Sequence, residues 1–472
     1  MNNDLDKTHN ILNDEAIQAA YEEIWKIEQS QQHIDTPEAL EQLERSLQEA
    51  TNNLSALILQ KRLQASLDSQ ANKDKENELV KTCKDKYKNE GFITVLLDTM
   101  SGLSIEVQAR YYRRSCDRRN GKRHKGIYAG LILLGIHERC TPLLASNVSI
   151  WCSWLRSFAE VQQVLLEQGI NLGVKVLRRI CYRYAERARL MQQAGAFALS
   201  EDESVAGRRV IVSCDGGRIR LRENKRGRKT KKGRTRYKGA WREPKLLIIY
   251  VVNEEGKMDK SFAPIIDGNL DGPDSAFQLI YEYLQAIGIE KADKILFVAD
   301  GAHWIWNRVS LLIENLGLLS EQVHELIDFY HAVEHLGQVA SLRKSWTAKL
   351  CSTWVQRQRK LLLKGQAEQV VAAVQAVCRG RNGKAITTER NYFIRNLYRM
   401  AYPTLKALKL PLGSGAIESA IRRVVNLRLK GPCIFWYREN ADKMLMLRSF
   451  YKAGRWNILK QMAFSAFSAL PD

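Results

Sequence analysis

The sequence predicts an α/β fold in which helices flank a mixed five-stranded sheet. Three strand-like apolar runs come first, and a helix, a fourth strand, a second helix and a fifth strand follow them. The predicted elements are strands 209–213, 245–253 and 261–266, helix 275–287, strand 295–299, helix 303–316 and strand 323–328. Branched and aromatic residues fill the strand runs, whereas apolar residues recur every three or four positions in the helices.

The first ninety residues are predicted to form polar helices. Thr36 and Pro37 mark a helix start, with Thr36 as N-cap and Pro37 at the first helical position. Apolar residues then recur at helical spacing over residues 40–57, which is typical either of packing within the chain or of a short coiled coil for self-association. The charged stretch 72–78 is interpreted as an exposed linker or a solvated helix end.

The charge of the chain indicates a polyanionic partner. Lysine and arginine number 73 against 52 acidic residues, which leaves a net charge of +21, and nucleic acid is the usual partner of such a surplus. The longest apolar run, near residues 126–136, is too short to span a bilayer, and the polar N-terminus has no signal-peptide pattern. The nine cysteines are scattered and form no metal-binding pair, so we expect a soluble cytoplasmic protein with reduced thiols.

Residues 91–205 are predicted to be a mostly helical DNA-binding region. Residues 105–114 alternate like a strand, and a basic segment follows at 118–125. Two helical patterns then flank a turn at 168–171, in the order of a helix-turn-helix, although any helical hairpin of a basic protein has a similar pattern. The second helix is expected to carry five basic residues away from its apolar face: Lys175, Arg178, Arg179, Arg183 and Arg187.

Two of the predicted strands end in an acid followed by a glycine, at Asp215-Gly216 and at Asp300-Gly301. The order of elements over 206–345 is that of a ribonuclease H-like fold, in which the first acid lies on the first strand, the second just past the fourth and the last on a later helix. Asp215, Asp300 and Glu418 occupy these places, whereas either Asp-Gly alone would indicate a turn. Three carboxylates repel one another unless a hard cation binds them, so a Mg²⁺ site is predicted, with the glycines allowing close approach of DNA.

A basic insertion, residues 218–245, joins the first two strands. Its positive residues include Arg226, Arg228, Lys229, Lys231, Lys232 and Arg234. As a hairpin arm beside the acids it would follow a DNA backbone, and a nuclear-targeting patch is the alternative.

Two further segments extend the predicted site. Ser414 is expected to cap a helix over 416–429, which carries Arg422 and Arg423 beyond Glu418 to hold a phosphate; an ordinary salt-bridged helix face is the alternative. His331, three residues after the fifth strand, is a candidate for a role close to the scissile phosphate or the metals, or for a structural hydrogen bond. With His335 it could also form a zinc pair, but no third soft ligand is in evidence.

Four blocks of the chain together resemble DDE transposases of bacterial insertion sequences, in particular the Kra-type group and, more distantly, Mutator-like and hAT elements. The blocks are 214–216, 299–306, 328–331 and 413–419. The resemblance covers roughly 91–465 and implies a ribonuclease H-like core in two parts, 206–345 and 413–472, separated by a helical insertion at 346–412. It also implies Mg²⁺ or Mn²⁺ as cofactor, Asp215, Asp300 and Glu418 as catalytic residues, and a [C/D]-x-x-H motif that ends at His331.

The leading hypothesis is therefore a DNA transposase that binds the ends of an insertion sequence and catalyses cleavage and strand transfer. Its expected partners are double-stranded DNA, as element ends and target, and further copies of the chain in the DNA complex, with no membrane. Its expected location is the cytoplasm, at the bacterial nucleoid. The alternatives are a ribonuclease H-like nuclease without strand transfer and a domesticated DNA-binding protein.

Overall fold

The computed structural model gives two compact units, one formed by residues 1–194 and 460–472 and the other by residues 195–459. The residues that the structure describes are 14–30, 33–83, 86–114, 126–200, 203–231 and 233–466. The predicted basic segment at 118–125 and Lys232 of the basic arm lie outside these residues. Within the described ranges, no helix is both long enough and apolar enough to cross a bilayer.

The N-terminal part of the first unit is helical, as predicted. The elements of this unit, before its short C-terminal segment, are α1 Glu15–Gln29, α2 Pro37–Asp68, α3 Gln70–Thr82, β1 Tyr87–Asp98, β2 Ser104–Arg114, α4 Ala129–Leu133, α5 Pro142–Trp154, α6 Phe158–Glu167 and α7 Val174–Gln193. Thr36 caps α2 through its Oγ1, which accepts a hydrogen bond of 3.1 Å from the Ala39 N–H. Pro37 is the first helical residue, so the predicted helix start is confirmed.

β1 and β2 form an antiparallel hairpin against which α2 packs. The inward side of β2 contributes Ile105 and Val107 to an apolar cluster that also contains Ala56 and Leu67 of α2. The second half of α2 is therefore used for packing within the chain, while Leu40 near its start is exposed. β1 was not predicted, and it begins at Tyr87, before the expected domain boundary at residue 90.

The stretch 72–78 lies within α3, so the predicted linker is wrong, whereas the alternative of a solvated helix holds for its exposed members. Asn72 and Glu76 are buried on the inner side of this helix. Tyr112 of β2 donates a hydrogen bond of 3.1 Å to Glu76 Oε2. Burial raises the pKa of Glu76, with the Tyr112 hydrogen bond opposing. The charge run concealed this contact because most of its other members face water.

The second unit contains a five-stranded mixed sheet. Helices alternate with the later strands of this sheet along the chain. Its first elements are β3 Arg209–Gly216, β4 Ile219–Asn224, β5 Tyr237–Arg242, β6 Lys245–Val252, β7 Ile265–Asn269, α8 Pro273–Ala286, β8 Lys294–Ala299, α9 His303–Asn315, β9 Val323–Ile327 and α10 Phe329–Ser341. The strand order is β7-β6-β3-β8-β9; β6 runs antiparallel to β3 and β7, and β8 runs parallel to β3 and β9. This arrangement is compatible with a ribonuclease H-like core, and β4 pairs with β5 in a separate hairpin.

The third predicted strand begins four residues later than expected, at Ile265 rather than Ser261. The Asp259 carboxylate accepts a hydrogen bond from the Ser261 N–H, which holds this segment in a turn. Pro264 has no N–H to donate to a neighbouring strand, so pairing starts only after it.

The remaining elements are helical. They are α11 Ala348–Leu363, α12 Ala367–Cys378, α13 Lys384–Arg395, α14 Tyr402–Ala407, α15 Gly415–Ile421, α16 Arg438–Lys452 and α17 Trp456–Phe464. Of the helix predicted over 416–429, only the part up to Ile421 is α-helical, and this part is α15. It packs on β3 and β6, and a π-helical turn at Arg422–Asn426 follows it. The buried Arg448 of α16 donates hydrogen bonds to the carbonyls of Arg423 and Val424, which supports this irregular backbone.

A buried ion pair joins the start and the end of the second unit. The Arg455 guanidinium donates to both oxygens of Glu203, at 2.9 and 3.0 Å, and also to the carbonyls of Ala263 and Pro264. We expect Arg455→Met to lower the free energy of unfolding by about 3–5 kcal/mol, because it leaves the Glu203 carboxylate without its cation in a desolvated place. Urea titration measures this change.

The matched control for Arg455→Met is Lys257→Met. Lys257 pairs with Glu255 at 2.9 Å on the surface of the same unit. An exposed pair contributes less than about 1 kcal/mol, so this variant should unfold nearly as the wild type does. Equal losses for both variants would contradict the structural importance of the Arg455 pair.

Candidate active site

Acidic residues lie at the ends of three adjacent strands, at the same edge of the sheet. The parallel register pairs Val212 with Phe297 and Ala299 with Ile327. Carried forward, it places Asp215 of β3 next to Asp300, which follows β8, and Asp300 next to Asp328, which follows β9. The carboxyl ends of neighbouring parallel strands meet in this way at one edge, where α/β proteins commonly bind ligands.

Asp215 is in an environment that disfavours its charge. Burial raises the pKa of Asp215 to about 6; the Asp300 carboxylate adds to the shift, and the Gly216 N–H opposes it. Asp300 begins a turn in which its Oδ1 accepts from the Ala302 N–H at 3.0 Å. The Trp306 indole donates to the Asp300 carbonyl at 2.6 Å, so the backbone that carries this acid is fixed.

Asp328 is fully buried and accepts four hydrogen bonds. Its Oδ1 accepts from the N–H groups of Tyr330 and His331, at 2.6 and 3.0 Å, and so caps α10. Its Oδ2 accepts from the Ser414 N–H and from the Ser414 hydroxyl, the latter at 2.6 Å. Burial acts to raise the pKa of Asp328, but the His331 and Ser414 contacts outweigh it and hold that pKa well below its usual range.

Ser414 is the N-cap residue of α15, as predicted, but its side chain does not make the expected cap. Its hydroxyl makes no cap hydrogen bond to α15, because it donates to Asp328 instead. The start of α15 is thereby attached to the start of α10. Glu418, on the first turn of α15, is carried to the sheet edge by this attachment.

Asp328, His331 and Glu418 form a compact group of ligand atoms. One oxygen or nitrogen of each lies within 4.8 Å of the others, and Glu418 is exposed. Among the residues that the structure describes, Asp215 and Asp300 do not belong to any group of three that is this close. The sequence predicted Glu418 beside Asp215 and Asp300, whereas the structure groups it with Asp328 and His331.

His331 interacts electrostatically with Asp328, Asp300 and Asp215. Its Nδ1 is buried without a hydrogen-bond partner and is 3.6 Å from Asp328 Oδ1, beyond hydrogen-bond distance. The Asp328 carboxylate raises the pKa of His331 to about 9 against the effect of burial, and Asp300 contributes to the increase. A ring nitrogen so placed can carry a proton or bind a cation.

The possible zinc pair of His331 and His335 finds no support in the geometry. His335 Nδ1 lies 2.7 Å from Glu389 Oε2, and its ring stacks on Tyr392 with centroids 3.8 Å apart. The Nδ1 atom and one ring face of His335 are thus used in contacts with α13. In the described part of the chain, His335 is absent from the close ligand group that contains His331.

At both glycines that follow the acids, protein atoms occupy the place of a Cβ, whereas the approach of DNA to these glycines stays a prediction. A Cβ on Gly301 would lie 2.1 Å from Cε2 of Tyr392, an aromatic ring that cannot overlap it. A Cβ on Gly216 would lie 1.8 Å from Oε1 of Glu243, at the end of a more flexible side chain. Gly301 is therefore required by the ring of Tyr392, a residue of α13.

A cleft of about 620 Å³ opens beside Asp300. Its wall includes His303, Lys384 and Arg395, so cationic or titratable groups face the acid. Arg395 is held by a hydrogen bond of 2.9 Å to the Gly301 carbonyl. Sequence reasoning missed Lys384 and Arg395, because they lie in a helical stretch without a motif and approach Asp300 only through folding.

The basic arm is a hairpin, as predicted, formed by β4 and β5 with Arg220 opposite Trp241. The predicted DNA-binding residues of its tip are exposed: Arg226, Arg228, Lys229, Lys231 and Arg234. Lys245 does not belong to this arm. It is buried at the start of β6, where its Nζ lies 2.6 Å from Glu243 and 4.0 Å from the centre of the Trp304 ring.

The other predicted DNA-binding residues are mostly at the surface. Lys175, Arg178 and Arg179 of α7 are exposed, as is Arg422 after α15, whereas Arg423 is half-buried. Arg179 also forms an ion pair of 3.0 Å with Glu138.

Arg187 was expected to lie away from the apolar side of α7, and this is wrong. Its side chain is buried, and its Nε donates a hydrogen bond of 2.9 Å to the Ala463 carbonyl. Position 187 is three residues after Tyr184 and seven after Ile180, so helical spacing puts it at the border of the apolar stripe, from which the long guanidinium side chain reaches a backbone acceptor.

No family model and no curated protein matches this chain. Among solved structures, it is similar to the Drosophila P element transposase strand transfer complex, with a TM-score of 0.24 and 9% identity. The match covers 67% of this chain and 80% of that chain. A TM-score of this size does not establish a common fold, so the residues of the site must support any functional assignment.

The contact between Gly301 and Tyr392 predicts the effect of a small substitution. We expect Gly301→Ala to lower the free energy of unfolding by about 1–3 kcal/mol, because the added methyl group displaces the ring. Gly337→Ala is the matched control, since Gly337 lies inside α10 with no atom near the place of a Cβ. The control should gain about 0.5–1 kcal/mol from helix propensity. Chemical denaturation that shows equal stability for both variants would disprove the steric argument.

The raised pKa of Asp215 predicts a pH-dependent stability. The folded state holds a proton on Asp215 up to about pH 6, whereas the unfolded chain releases it near pH 4. The free energy of unfolding therefore decreases as the pH rises through that interval. Without divalent cations, Asp215→Asn should therefore melt above the wild type at pH 7.5, and the difference should decrease towards pH 4.

Calorimetry in EDTA at both pH values measures this difference. Asp293→Asn is the control for the substitution itself, because Asp293 is exposed and directly precedes the first residue of β8. A wild type as stable as Asp215→Asn at pH 7.5 would show that the acid is not strained by its surroundings.

Proposed function

We propose that this protein is a DNA transposase that binds the ends of an insertion sequence and catalyses cation-dependent DNA cleavage and strand transfer. The observation that supports this most is the sheet edge. Asp215, Asp300 and Asp328 lie there at the ends of three adjacent strands, and Glu418 comes to the same edge on α15. A chain with a net charge of +21 does not need acids at one edge for solubility, so they indicate a site.

The donor atoms of this edge fit Mg²⁺ or Mn²⁺. Carboxylate oxygens are the ligands that hard cations prefer, and burial raises the pKa of Asp215, as expected of an acid whose charge its surroundings do not fully compensate. Asp215 and Asp300 would hold one cation, and Asp328 and Glu418, which have ligand atoms within 4.8 Å of each other, would hold another. When bound, such ions would activate the attacking oxygen and stabilise the charge on the leaving oxygen.

The other side chains of the edge would bind and orient the DNA. Lys384 and Arg395 in the cleft beside Asp300 are placed to contact a phosphate of the strand that is cut. A protonated His331, with its pKa near 9, would stabilise negative charge at the scissile phosphate. The exposed arginines and lysines of the β4–β5 arm would neutralise the neighbouring duplex backbone.

In the proposed reaction, water attacks the phosphodiester at the element end, and the bond to the 3′ oxygen breaks. The freed 3′ hydroxyl then attacks a phosphodiester of the target DNA, whose own 3′ oxygen leaves. The first step replaces a phosphate ester bond with a P–OH bond, and the second replaces one phosphate ester bond with another. Both are displacements at phosphorus, so they can use the same acids. A homo-oligomer would hold two element ends together for the second step.

The test is cleavage and joining of duplexes that carry the inverted repeats flanking the gene, in Mg²⁺. We expect Glu418→Gln to bind these ends as the wild type does but to lose cutting and joining by more than about a hundredfold, because a neutral amide is a poor ligand for a hard cation. Glu314→Gln, an exposed glutamate of α9, is the control and should remain active.

A fully active Glu418→Gln would remove Glu418 from the site. Cutting without joining by the wild type would instead favour a nuclease without strand transfer.

A further inference from the structure

One face of the β4–β5 hairpin alternates arginines with aromatic rings. Successive side chains of a strand point to opposite sides, so the even-numbered residues of β4 share a face with their odd-numbered partners on β5. The segment after Gly431 adds a third row, because the Trp436 backbone exchanges hydrogen bonds of 2.7 and 3.0 Å with Arg222 and Arg220. The members of this aromatic–arginine face are Arg218, Arg220, Arg222, Tyr237, Trp241, Phe435 and Tyr437.

The arginines of this face are interleaved with the rings. The Arg220 guanidinium lies 4.5 Å from the centre of the Phe435 ring and 5.4 Å from that of Trp241. The Arg222 guanidinium lies 4.4 Å from the centre of the Tyr237 ring. These contacts hold the guanidinium groups and the aromatic rings in fixed positions. Less side-chain entropy is therefore lost when a ligand binds.

The opposite side of the hairpin explains why the rings face outward. Ile219 and Leu221 are buried, and Trp436 is buried beside them, so apolar packing fixes this side in the second unit. The aromatic–arginine face keeps 48% of Trp241, 46% of Tyr437 and 38% of Tyr237 exposed. Rings that only completed a core would be on the other side.

Unpaired nucleotides fit this surface in both shape and charge. Exposed rings and guanidinium planes accept bases by stacking, and arginines neutralise the phosphates between them. The bases of a duplex are already stacked on one another, so they cannot use the rings. Arg218 follows Asp215 by three residues, which limits its Cα to about 11 Å from that of the acid.

We propose that the aromatic–arginine face binds single-stranded DNA and so holds the unpaired nucleotides next to the cut. This inference rests on the proposed function for its partner, because cutting and joining produce unpaired ends beside the acids. The tip of the arm contacts duplex by charge alone, whereas this face adds stacking on Trp241, Tyr237 and Tyr437.

The test is fluorescence anisotropy with a labelled twelve-nucleotide oligothymidylate and a labelled hairpin duplex, both in EDTA. We expect Trp241→Ala to weaken single-strand binding by about 5- to 100-fold, the effect of losing one stacked base, and to change duplex binding less than twofold. Tyr437→Ala, on a different segment, should behave in the same way, and Trp241→Tyr should retain most of the affinity.

Two controls separate stacking from other effects. Trp25→Ala removes an exposed tryptophan of α1 and should leave single-strand binding unchanged. Lys229→Ala removes a charge from the tip of the arm and should weaken both DNA forms by the same factor. Thermal melts of each variant verify that it is folded.

The proposal fails if Trp241→Ala and Tyr437→Ala both bind the oligothymidylate as the wild type does, or if they lose single strand and duplex equally. A preference of more than tenfold for oligouridylate would assign the face to RNA and would overturn it as well. Because binding is measured without divalent cations, these outcomes are independent of cleavage. A failure here would leave the proposed transposase activity untouched, and inactive acids would leave this binding untouched.

Discussion

The carboxylate of Asp328 is the constraint on which the candidate site depends. It lies at the end of β9, completes the first turn of α10 and binds the backbone and hydroxyl of Ser414. Two segments that are distant in sequence are thereby joined at one buried charged group. The position of Glu418 follows from that junction, because α15 starts at the residue after Ser414. Together with the packing of α15 on β3 and β6, this junction fixes a helix that begins only after the whole helical stretch 346–412.

The same edge combines groups that stabilise the fold with groups that oppose it. Asp328 is compensated by four donors, whereas Asp215 is partly buried beside another acid, and its pKa is raised to about 6. Proteins commonly retain such unfavourable groups where a ligand supplies the missing charge. The contrast between the two aspartates distinguishes an acid that maintains structure from one that is available for chemistry. Asp328 and His331 nevertheless lie close enough to Glu418 to do both.

The sequence predicted the sheet well, because its strands are nearly continuous apolar runs bounded by turns and helical periodicity. β6 is buried at every position, and the predicted run differs from it by one residue. Local pattern was less informative where a side chain has a distant partner. Ser414 has the properties of an N-cap but binds Asp328, Glu76 lies inside a charge run but is buried, and Arg187 reaches a carbonyl far along the chain. The positions of Asp215 and Asp300 follow from their strands. The neighbours of Glu418, in contrast, depend on tertiary packing that hydrophobic periodicity does not encode.

The ring of Tyr392 occupies the place where any other residue at 301 would have its side chain. The helical stretch that contributes this ring is therefore packed into the acidic edge and is a structural part of it. An evolving copy of this gene could not lose or reshape α13 without also accommodating an empty space beside Asp300. Conversely, a bulkier residue at 301 could arise only in a lineage that had first reduced residue 392. The two positions, though separated by most of the helical stretch, should change together when diverged copies are compared.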